Sequence, residues 1–331
     1  MTATMSWERV HVTASCSRRI PMGETLTIKK RLEQWLVRRA LAGGLSFTRL
    51  FSLRAIGRFS RVLADFGYYL LSRNRKLAIA NLSLVYAKTK SPTQIREMAR
   101  QTFREGARGA FELMYFFGRG HIEDGCRLVR ETEGLENLRR ALDKGKGIVA
   151  LSAHFGNFIL LGATLNRLGH PCGSIMRQMR DARLEAMFTD LRNEMMQIII
   201  PKFPLSHSVR ESLRWLSRGN VLVMYIDQRS KAGAIVDFMG FPTSTATGAA
   251  YFALRSGAPV LPMFVLRRDD GYYKLLIGPE VAVVTTGAFK TDVDINTARF
   301  AKVVEEYIRQ RPTQWFWFDR RWKQFHKKKG V

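Results

Sequence analysis

Cysteine is scarce in this sequence, with three residues among 331: Cys16, Cys126 and Cys172. They form no CxxC pair and no evenly spaced series, which excludes a disulfide scaffold and a structural zinc site and indicates a reducing compartment. The six histidines show no ligand spacing, so we expect neither a metal site nor a cofactor. A disordered chain is excluded as well, because 46% of the residues are hydrophobic.

Acidic residues are the second shortage: 28 Asp and Glu stand against 54 Lys and Arg, a formal net charge of +26. Half of this excess lies in residues 27–100, where 16 basic residues accompany three acidic ones. A charge of this size attracts polyanions, which include nucleic acid, an anionic membrane face and an acidic carrier protein. Composition alone does not choose among them.

Long apolar runs are also missing from this basic region. Its longest uncharged stretches, 77–87 and 40–48, fall far short of the roughly 20 residues that span a bilayer. Apolar and aromatic residues recur instead at spacings of three and four, which is typical of amphipathic helices. We interpret residues 27–118 as a basic amphipathic helical region that lies on an anionic membrane; a solvated charged face on core helices is the alternative. Residues 1–26 are a variable N-terminal extension without the features of a signal peptide.

Beyond residue 118 the pattern changes, and short β-rich runs alternate with helical stretches. This alternation predicts an α/β domain over residues 119–331, with a mixed, mostly parallel sheet flanked by helices. Strands are predicted at 147–152, 174–176, 197–200, 221–226, 258–266 and 273–277. Helices are predicted at 158–168, 182–196, 207–217 and 247–256, and a further one starts at Pro92 after the N-cap Ser91.

Ligands bind where the parallel strands of an α/β sheet end, so the residues after each apolar run are candidates. Residues 152–158, Ser-Ala-His-Phe-Gly-Asn-Phe, contain a histidine, a glycine that lets the chain bend and an asparagine that could cap the next helix. His154 is placed to act as a general base on an alcohol, and a purely structural histidine is the alternative. Residues 227–231, Asp-Gln-Arg-Ser-Lys, could orient an imidazole, hold a phosphate or form an ordinary polar loop.

A third polar segment lies between residues 240 and 248. Gly240-Phe241-Pro242 and the Ser/Thr-rich residues 243–247 precede a predicted helix whose free N–H groups would favour an anion. Two strand ends and one helix N-terminus with mixed charge indicate a ligand site, but they do not name a reaction.

Six blocks in order make the chain resemble the bacterial lipid A biosynthesis (secondary) acyltransferases, within the lysophospholipid acyltransferase superfamily. The similarity covers about residues 27–325 and is specific because the order of the blocks is kept. The blocks are Ala153–Phe158, Asp227–Arg229, Phe238–Pro242, Thr245–Gly248, Ser256–Pro262 and Pro312–Lys323.

This resemblance implies a glycerolipid acyltransferase-like fold and the transfer of a fatty acyl chain from a thioester donor, an acyl carrier protein or acyl-CoA. The acceptor would be a hydroxyl of a lipid A precursor or of a related lysolipid or glycolipid. It also implies a peripheral or monotopic position at the cytoplasmic face of the bacterial inner membrane, with an anionic lipid as acceptor and surface and no nucleic-acid partner.

Residue roles follow from the same resemblance. His154 corresponds to the family histidine, which would deprotonate the acceptor hydroxyl for direct attack on the thioester without an acyl-enzyme intermediate. Arg177 falls where the family carries an arginine that serves the acceptor phosphate or the active site; a surface ion pair with Asp181 or Glu185 is the alternative. The predicted substrate-binding residues are Asn157, Arg177, Arg229, Gly240, Thr247 and Gly248.

One position departs from the family pattern. The family motif is His, four residues, then Glu or Asp, but counting from His154 reaches Ile159. We predict that Asp227 supplies the missing carboxylate, since both residues follow strands at one sheet edge; Asp237, inside a possible strand, is the weaker candidate. Two rival functions stay open: a catalytically impaired lipid-binding relative, and a basic nucleic-acid-binding protein, for which no recognised motif is present.

Overall fold

In a computed structural model, the described residues are 28–119, 122–179, 181, 183, 185, 186, 189, 190 and 198–326. The chain forms two compact units, Met1–Ala40 and Leu41–Val331. The predicted N-terminal extension and most of the predicted helix 182–196 lie outside the described residues. The domain boundaries expected from the sequence therefore stay predictions.

The N-terminal part of the described chain is helical, with α1 (Ile28–Thr48), α2 (Leu53–Leu70), α3 (Ser72–Tyr86) and α4 (Pro92–Arg119). The predicted start of α4 is confirmed by a reciprocal capping box. The Ser91 Oγ accepts the Gln94 N–H at 3.3 Å, and the Gln94 Oε1 accepts the Ser91 N–H at 2.8 Å. Helices α2 and α4 are joined by the Asp65 carboxylate, and the hydrogen bonds and charges of Arg104 and Arg100 lower the pKa of Asp65 to about 2.

A seven-stranded sheet in the order β1-β9-β8-β2-β5-β3-β4 carries the fold. Its strands β8, β2, β5, β3 and β4 are mutually parallel, whereas β9 runs antiparallel to β8 and parallel to β1. This confirms the predicted α/β class with a mixed, mostly parallel sheet. The strands are β1 (Val129–Glu133), β2 (Ile148–Ser152), β3 (Cys172–Met176), β4 (Ile198–Pro201), β5 (Val221–Tyr225), β8 (Val260–Arg267) and β9 (Tyr273–Ile277).

The strands predicted from the sequence leave out two features of this architecture. Strand β1 was not predicted, and neither was the separate antiparallel hairpin of β6 (Arg229–Phe238) and β7 (Phe241–Thr245). The remaining helices are α5 (Ile122–Arg127), α6 (Leu135–Leu142), α7 (Phe158–Arg167), α8 (Leu205–Ser217), α9 (Gly248–Ser256), α10 (Phe289–Gln310) and α11 (Lys323–His326), with a 3₁₀ turn at Pro312–Gln314.

Strand β2 is buried on both faces of the sheet, as expected for a central parallel strand. Because successive side chains of a strand point to opposite faces, Val149 and Leu151 join one hydrophobic cluster and Ile148 and Ala150 join the other. The loop that follows β2 is thus anchored to the most buried part of the sheet. Among the helices of the described residues, none has the length and apolarity needed to cross a bilayer.

Candidate active site

A histidine and an aspartate meet at the carboxyl edge of the sheet. Strands β2 and β5 are parallel neighbours, and Ser152 lies opposite Tyr225 in their register. His154 and Asp227 each follow these paired residues by two positions, so the topology brings them side by side. The His154 Nδ1 lies 3.0 Å from the Asp227 Oδ1. The predicted meeting of these two residues is therefore observed.

The Asp227 carboxylate is fixed by three donors. Besides the imidazole contact, its Oδ2 accepts the backbone N–H of His154 at 3.0 Å and the indole N–H of Trp315 at 2.9 Å. The side chain is 1% exposed. Burial acts to raise the pKa of Asp227, but the charge of His154 and these hydrogen bonds outweigh burial and lower it. The group is therefore a buried, ionised carboxylate with little freedom to reorient.

The imidazole of His154 is poised as a base. Burial opposes its protonation, but the charge and hydrogen bond of Asp227 outweigh burial, so the pKa of His154 is raised. Since an ionised carboxylate only accepts hydrogen bonds, the neutral ring carries its proton on Nδ1 and keeps a lone pair on Nε2. The Gln228 Nε2 lies 3.4 Å from that lone pair and can donate to it. The reactive nitrogen thus lies next to a neutral amide.

The loop that holds His154 is clamped on both sides. The His154 carbonyl accepts the Phe316 N–H at 3.0 Å, and the Gly156 N–H donates to the Gln314 carbonyl at 3.1 Å. Gly156 has a φ of +62°, and a Cβ built there would lie 2.1 Å from the Val265 carbonyl oxygen. Only glycine fits this turn, which confirms the predicted bend.

An apolar cleft of about 690 Å³ opens onto the histidine. The rings of Phe158 and Phe316 lie beside the imidazole, and their centroids are 4.8 and 6.4 Å from the centroid of the His154 ring. The opposite wall is formed by α2 and α4, and several α2 residues of this wall are also exposed on the protein surface. They are Leu63, Phe66 and Leu70, and Leu71, directly after the helix, is an exposed lining residue as well. The cleft therefore has its mouth beside an exposed apolar face.

A buried polar network underlies the cleft. The Arg267 guanidinium donates to the Glu112 carboxylate at 2.9 Å, and the Tyr273 hydroxyl donates to the same carboxylate. The Asn157 Nδ2 lies 3.2 Å from the Tyr273 oxygen. Asn157 occupies the N-cap position of α7, but its side chain makes no cap hydrogen bond, so the expectation that it caps this helix is wrong. The reason is that its amide is engaged by Tyr273 instead.

Sequence reasoning assigned no role to Trp315, Arg267 or Tyr273. Trp315 lies within the block Pro312–Lys323 that carried part of the resemblance, so a signal for it was present. Arg267 ends strand β8 and Tyr273 begins β9, which are sheet-edge positions. Their carboxylate partner, Glu112, comes from α4 and carries no local signal.

The other predicted substrate-binding residues lie away from the cleft lining. The Arg177 guanidinium lies over the Phe203 ring at 5.3 Å, and the Arg229 N–H donates to the Asp319 Oδ1 at 3.4 Å. Gly240 lies in the β6–β7 turn. Thr247 is the N-cap residue of α9, and Gly248 is the first residue of that helix. These five stay predictions.

The position where the family motif expects a carboxylate carries no charge. Ile159 lies in the first turn of α7 and lines the cleft beside His154. Asp237, the weaker candidate partner, instead accepts the Gly240 N–H at 3.0 Å within the hairpin. Across the described part of the chain, no group of three or more His, Cys, Asp and Glu residues could hold a metal ion.

Comparisons with known proteins identify the family of the chain. The family model for bacterial lipid A biosynthesis acyltransferase matches residues 25–324. The lipid A biosynthesis palmitoleoyltransferase of Escherichia coli (strain K12) and the lipid A biosynthesis acyltransferase of Shigella flexneri are each 25% identical over 259 residues, 76% of this chain and 80% of the relative. A phosphatidylinositol mannoside acyltransferase of Mycobacterium tuberculosis (strain ATCC 25618 / H37Rv) is 30% identical over 141 residues, 41% of this chain and 44% of the relative. Because the family model covers most of the chain, the protein belongs to the bacterial lipid A biosynthesis acyltransferase family and is an O-acyltransferase.

Proposed function

We propose that this protein transfers a fatty acyl chain from a thioester donor, an acyl carrier protein or acyl-CoA, to a hydroxyl of a lipid A precursor or a related glycolipid. The reaction takes place at the cytoplasmic face of the inner membrane. One observation carries the proposal: an imidazole paired with a buried carboxylate faces an apolar cleft of about 690 Å³. The names of the relatives support this class of acceptor, since they include lipid A and phosphatidylinositol mannoside acyltransferases.

In the proposed mechanism, the neutral His154 accepts the hydroxyl proton of the acceptor on Nε2 as that oxygen attacks the thioester carbonyl. The Asp227 carboxylate stabilises the imidazolium through Nδ1. When the tetrahedral intermediate collapses, the C–S bond breaks, the new ester forms and the imidazolium returns the proton to the leaving thiolate. The acceptor hydroxyl displaces the Gln228 amide from Nε2, which frees this amide to donate to the developing oxyanion.

Asp227 takes over the role that the family assigns to the carboxylate at the position of Ile159. Its support is the 3.0 Å contact with Nδ1 and the two further donors that fix the carboxylate. Because Asp227 pairs with the imidazole, His154 has a carboxylate partner although Ile159 is apolar. Ile159 instead adds apolar surface to the cleft. The geometry thus favours a working transferase over the catalytically impaired, lipid-binding alternative.

The proposed membrane contact is the exposed apolar face of α2. Large apolar side chains on this helix recur at spacings of three and four and are at least 40% exposed; they are Phe59, Val62, Leu63, Phe66, Tyr69 and Leu70. An amphipathic helix of this kind lies in the lipid interface with its apolar face inserted. Because the cleft opens beside this face, an acyl chain would enter from the bilayer without crossing water.

Replacing Val62 with glutamate is expected to weaken binding to anionic vesicles by about tenfold or more, since burying a valine in an apolar environment contributes about 1.5–3 kcal/mol. Val62 is 69% exposed and does not line the cleft, so folding should be unaffected. Vesicle sedimentation measures the effect. The matched control is Ile235→Glu on the hairpin, where an aliphatic residue is 73% exposed. An equal loss in both variants would contradict the assignment of α2 as the membrane face.

Filling the cleft should shorten the acyl chain that the enzyme accepts. Gly109 on α4 lines the cleft, and a Cβ built there meets no atom within 4 Å. We expect Gly109→Leu to reduce transfer of the longest accepted chain by about fourfold for each methylene displaced, and to spare shorter chains. Transfer rates from a series of donors of different length measure this, with Gly109→Ala as the control for helix propensity. A uniform loss at every chain length would show that the chain does not occupy this cleft.

The acceptor and the transferred chain are identified by mass spectrometry of lipids from cells with and without the gene. We expect one acyl group to be missing from a glycolipid in the cells that lack it. Purified enzyme should then restore that group with a thioester donor. Identical lipids in both cells, together with no turnover on any thioester donor, would contradict the proposed function.

A further inference from the structure

A second cavity, of about 780 Å³, lies on another part of α2 and α4. Arg54, Arg58 and Arg61 line it from the first half of α2, Arg108 lines it from α4, and the turn at Asp270–Tyr272 closes one side. The main cleft uses the second half of α2 and other residues of α4, so the two cavities are separate. Nothing in the proposed acyl transfer employs this second cavity.

The carboxylates at this cavity are already engaged. Glu112 accepts from Arg108 at 3.0 Å and from Arg267 at 2.9 Å. The Asp270 carboxylate lies 3.2 Å from Arg268 and accepts the N–H of Tyr272 at 3.0 Å. They therefore leave little negative charge to balance further cations in the cavity.

Three arginines at the cavity are not paired with a carboxylate of the described residues. Arg54, Arg58 and Arg61 are spaced by four and three residues, so they share one face of α2. Among the described residues, none of the three forms an ion pair or a side-chain hydrogen bond. Three like charges on adjacent turns repel one another, and the positive end of the helix dipole at the start of α2 adds to their potential. The three guanidinium groups are exposed to solvent, so they are free to contact an anion that enters the cavity.

We infer that this cavity binds a phosphate ester through Arg54, Arg58 and Arg61. A guanidinium offers paired donors that match the oxygens of a phosphate, and several of them share its charge. The source favoured by the structure is a lipid headgroup, because Val62 follows Arg58 by one turn and begins the adjoining exposed apolar face. With that face inserted, the arginines lie at the depth of the headgroups. The lipid source rests on the proposed membrane contact of α2.

The test compares two triple variants of equal charge. Arg54→Gln/Arg58→Gln/Arg61→Gln removes the cavity arginines, and Arg210→Gln/Arg218→Gln/Arg299→Gln removes three exposed arginines elsewhere. Binding to phosphatidylcholine vesicles with and without phosphatidic acid is measured without an acyl donor. We expect the cavity variant to lose at least about tenfold more affinity for phosphatidic acid vesicles than the control, because one charge-assisted hydrogen bond is worth a factor of this size.

A charge-neutral variant separates a shaped site from diffuse surface charge. Gly57 lines the cavity, and a Cβ built there meets no atom within 4 Å. Gly57→Leu should therefore block the cavity and weaken binding to phosphatidic acid vesicles several-fold, whereas Gly57→Ala should bind like the wild type. Equal losses in the two triple variants, together with unchanged binding by Gly57→Leu, would overturn the inference.

An experiment with a soluble phosphate ester (the soluble arm) distinguishes a free phosphate from a lipid headgroup. Titration of the wild type with glycerol 3-phosphate in the absence of vesicles, followed by calorimetry, detects a free phosphate ester. Binding in this arm that requires Arg54, Arg58 and Arg61 supports the site with a soluble source, and binding to vesicles alone supports the lipid source. If the wild type binds no vesicles at all, the membrane contact fails, and the soluble arm alone decides whether the phosphate site stands. The role of His154 in acyl transfer is tested separately, by the variants of that residue.

Discussion

Replacing His154 with alanine or glutamine is expected to lower kcat for acyl transfer by about 10²- to 10⁴-fold, the range that a positioned general base contributes. Without the imidazole, no group in the described cleft lining can take the hydroxyl proton from the same position. The loss should fall on kcat more than on KM, since the apolar cleft that holds the acyl chain is untouched. Transfer of a radiolabelled acyl chain to the extracted acceptor lipid measures the effect.

Two features of the design keep this result interpretable. Glutamine retains an amide that can donate to the buried Asp227, so His154→Gln preserves a partner for that carboxylate while removing the base. His207→Ala, at an exposed position in α8, is the control for loss of a histidine and should keep full activity. Wild-type activity in both His154 variants, with the thermal unfolding temperature unchanged, would remove His154 from the mechanism.

The substitution Asp227→Asn is expected to cause the second large effect, approaching the roughly 10⁴-fold loss that the equivalent change causes in serine proteases. An asparagine amide can donate to Nδ1, which moves the ring proton to Nε2 and leaves no lone pair for the acceptor hydroxyl. It also removes the negative charge that stabilises the imidazolium. Steady-state kinetics on the purified variant measure kcat and KM separately.

The pH dependence of this variant has a definite sign. Asp227 raises the pKa of His154, and the base must be neutral, so kcat/KM of the wild type falls as the pH drops through that raised pKa. In Asp227→Asn the residual activity should fall only at a lower pH. Asp237→Asn is the matched control, because Asp237 is exposed and accepts the Gly240 N–H in the hairpin. Equal losses in Asp227→Asn and Asp237→Asn would mean that the carboxylate near the histidine has no special role.

The meeting of His154 and Asp227 could be predicted because it depends only on the order of strands and loops. Both residues come directly or shortly after the end of a β-rich apolar run, and neighbouring parallel strands present such positions at one edge. Because Ile159 stands where the family motif has Glu or Asp, the carboxylate partner of His154 had to come from another part of the chain. The pairing of His154 with Asp227 could therefore be predicted from the sequence, but the distance and orientation of the two side chains could not.

The groups that hold this pair in place could not be predicted, because their partners are distant in the chain. The Trp315 indole reaches Asp227 across 88 residues, and Arg267 reaches Glu112 across 155. No local spacing encodes contacts of this kind. The Asn157 side chain illustrates the same limit, since its sequence context indicated a helix cap and the distant Tyr273 engages it instead.

The missed elements of the fold have similar physical reasons. Strand β1 lies at the edge of the described sheet beside β9, and four of its five residues are exposed, so no apolar run marks it. The β6–β7 hairpin stands outside the main sheet and mixes exposed and buried positions irregularly. Helix α10 is different: Phe300, Val304 and Ile308 follow one another by four residues and are fully buried, so its pattern was present and was not recognised.

The titration of the His154 ring itself bears most directly on the pairing with Asp227, and it requires no knowledge of the acceptor. NMR of ring-labelled histidine, in wild type and in Asp227→Asn, reports both the pKa and the nitrogen that carries the proton in the neutral form. We predict a pKa above the ordinary imidazole value in the wild type, a proton on Nδ1, and a lower pKa in Asp227→Asn. An identical pKa in the two proteins, or a neutral wild-type ring protonated on Nε2, would contradict the account.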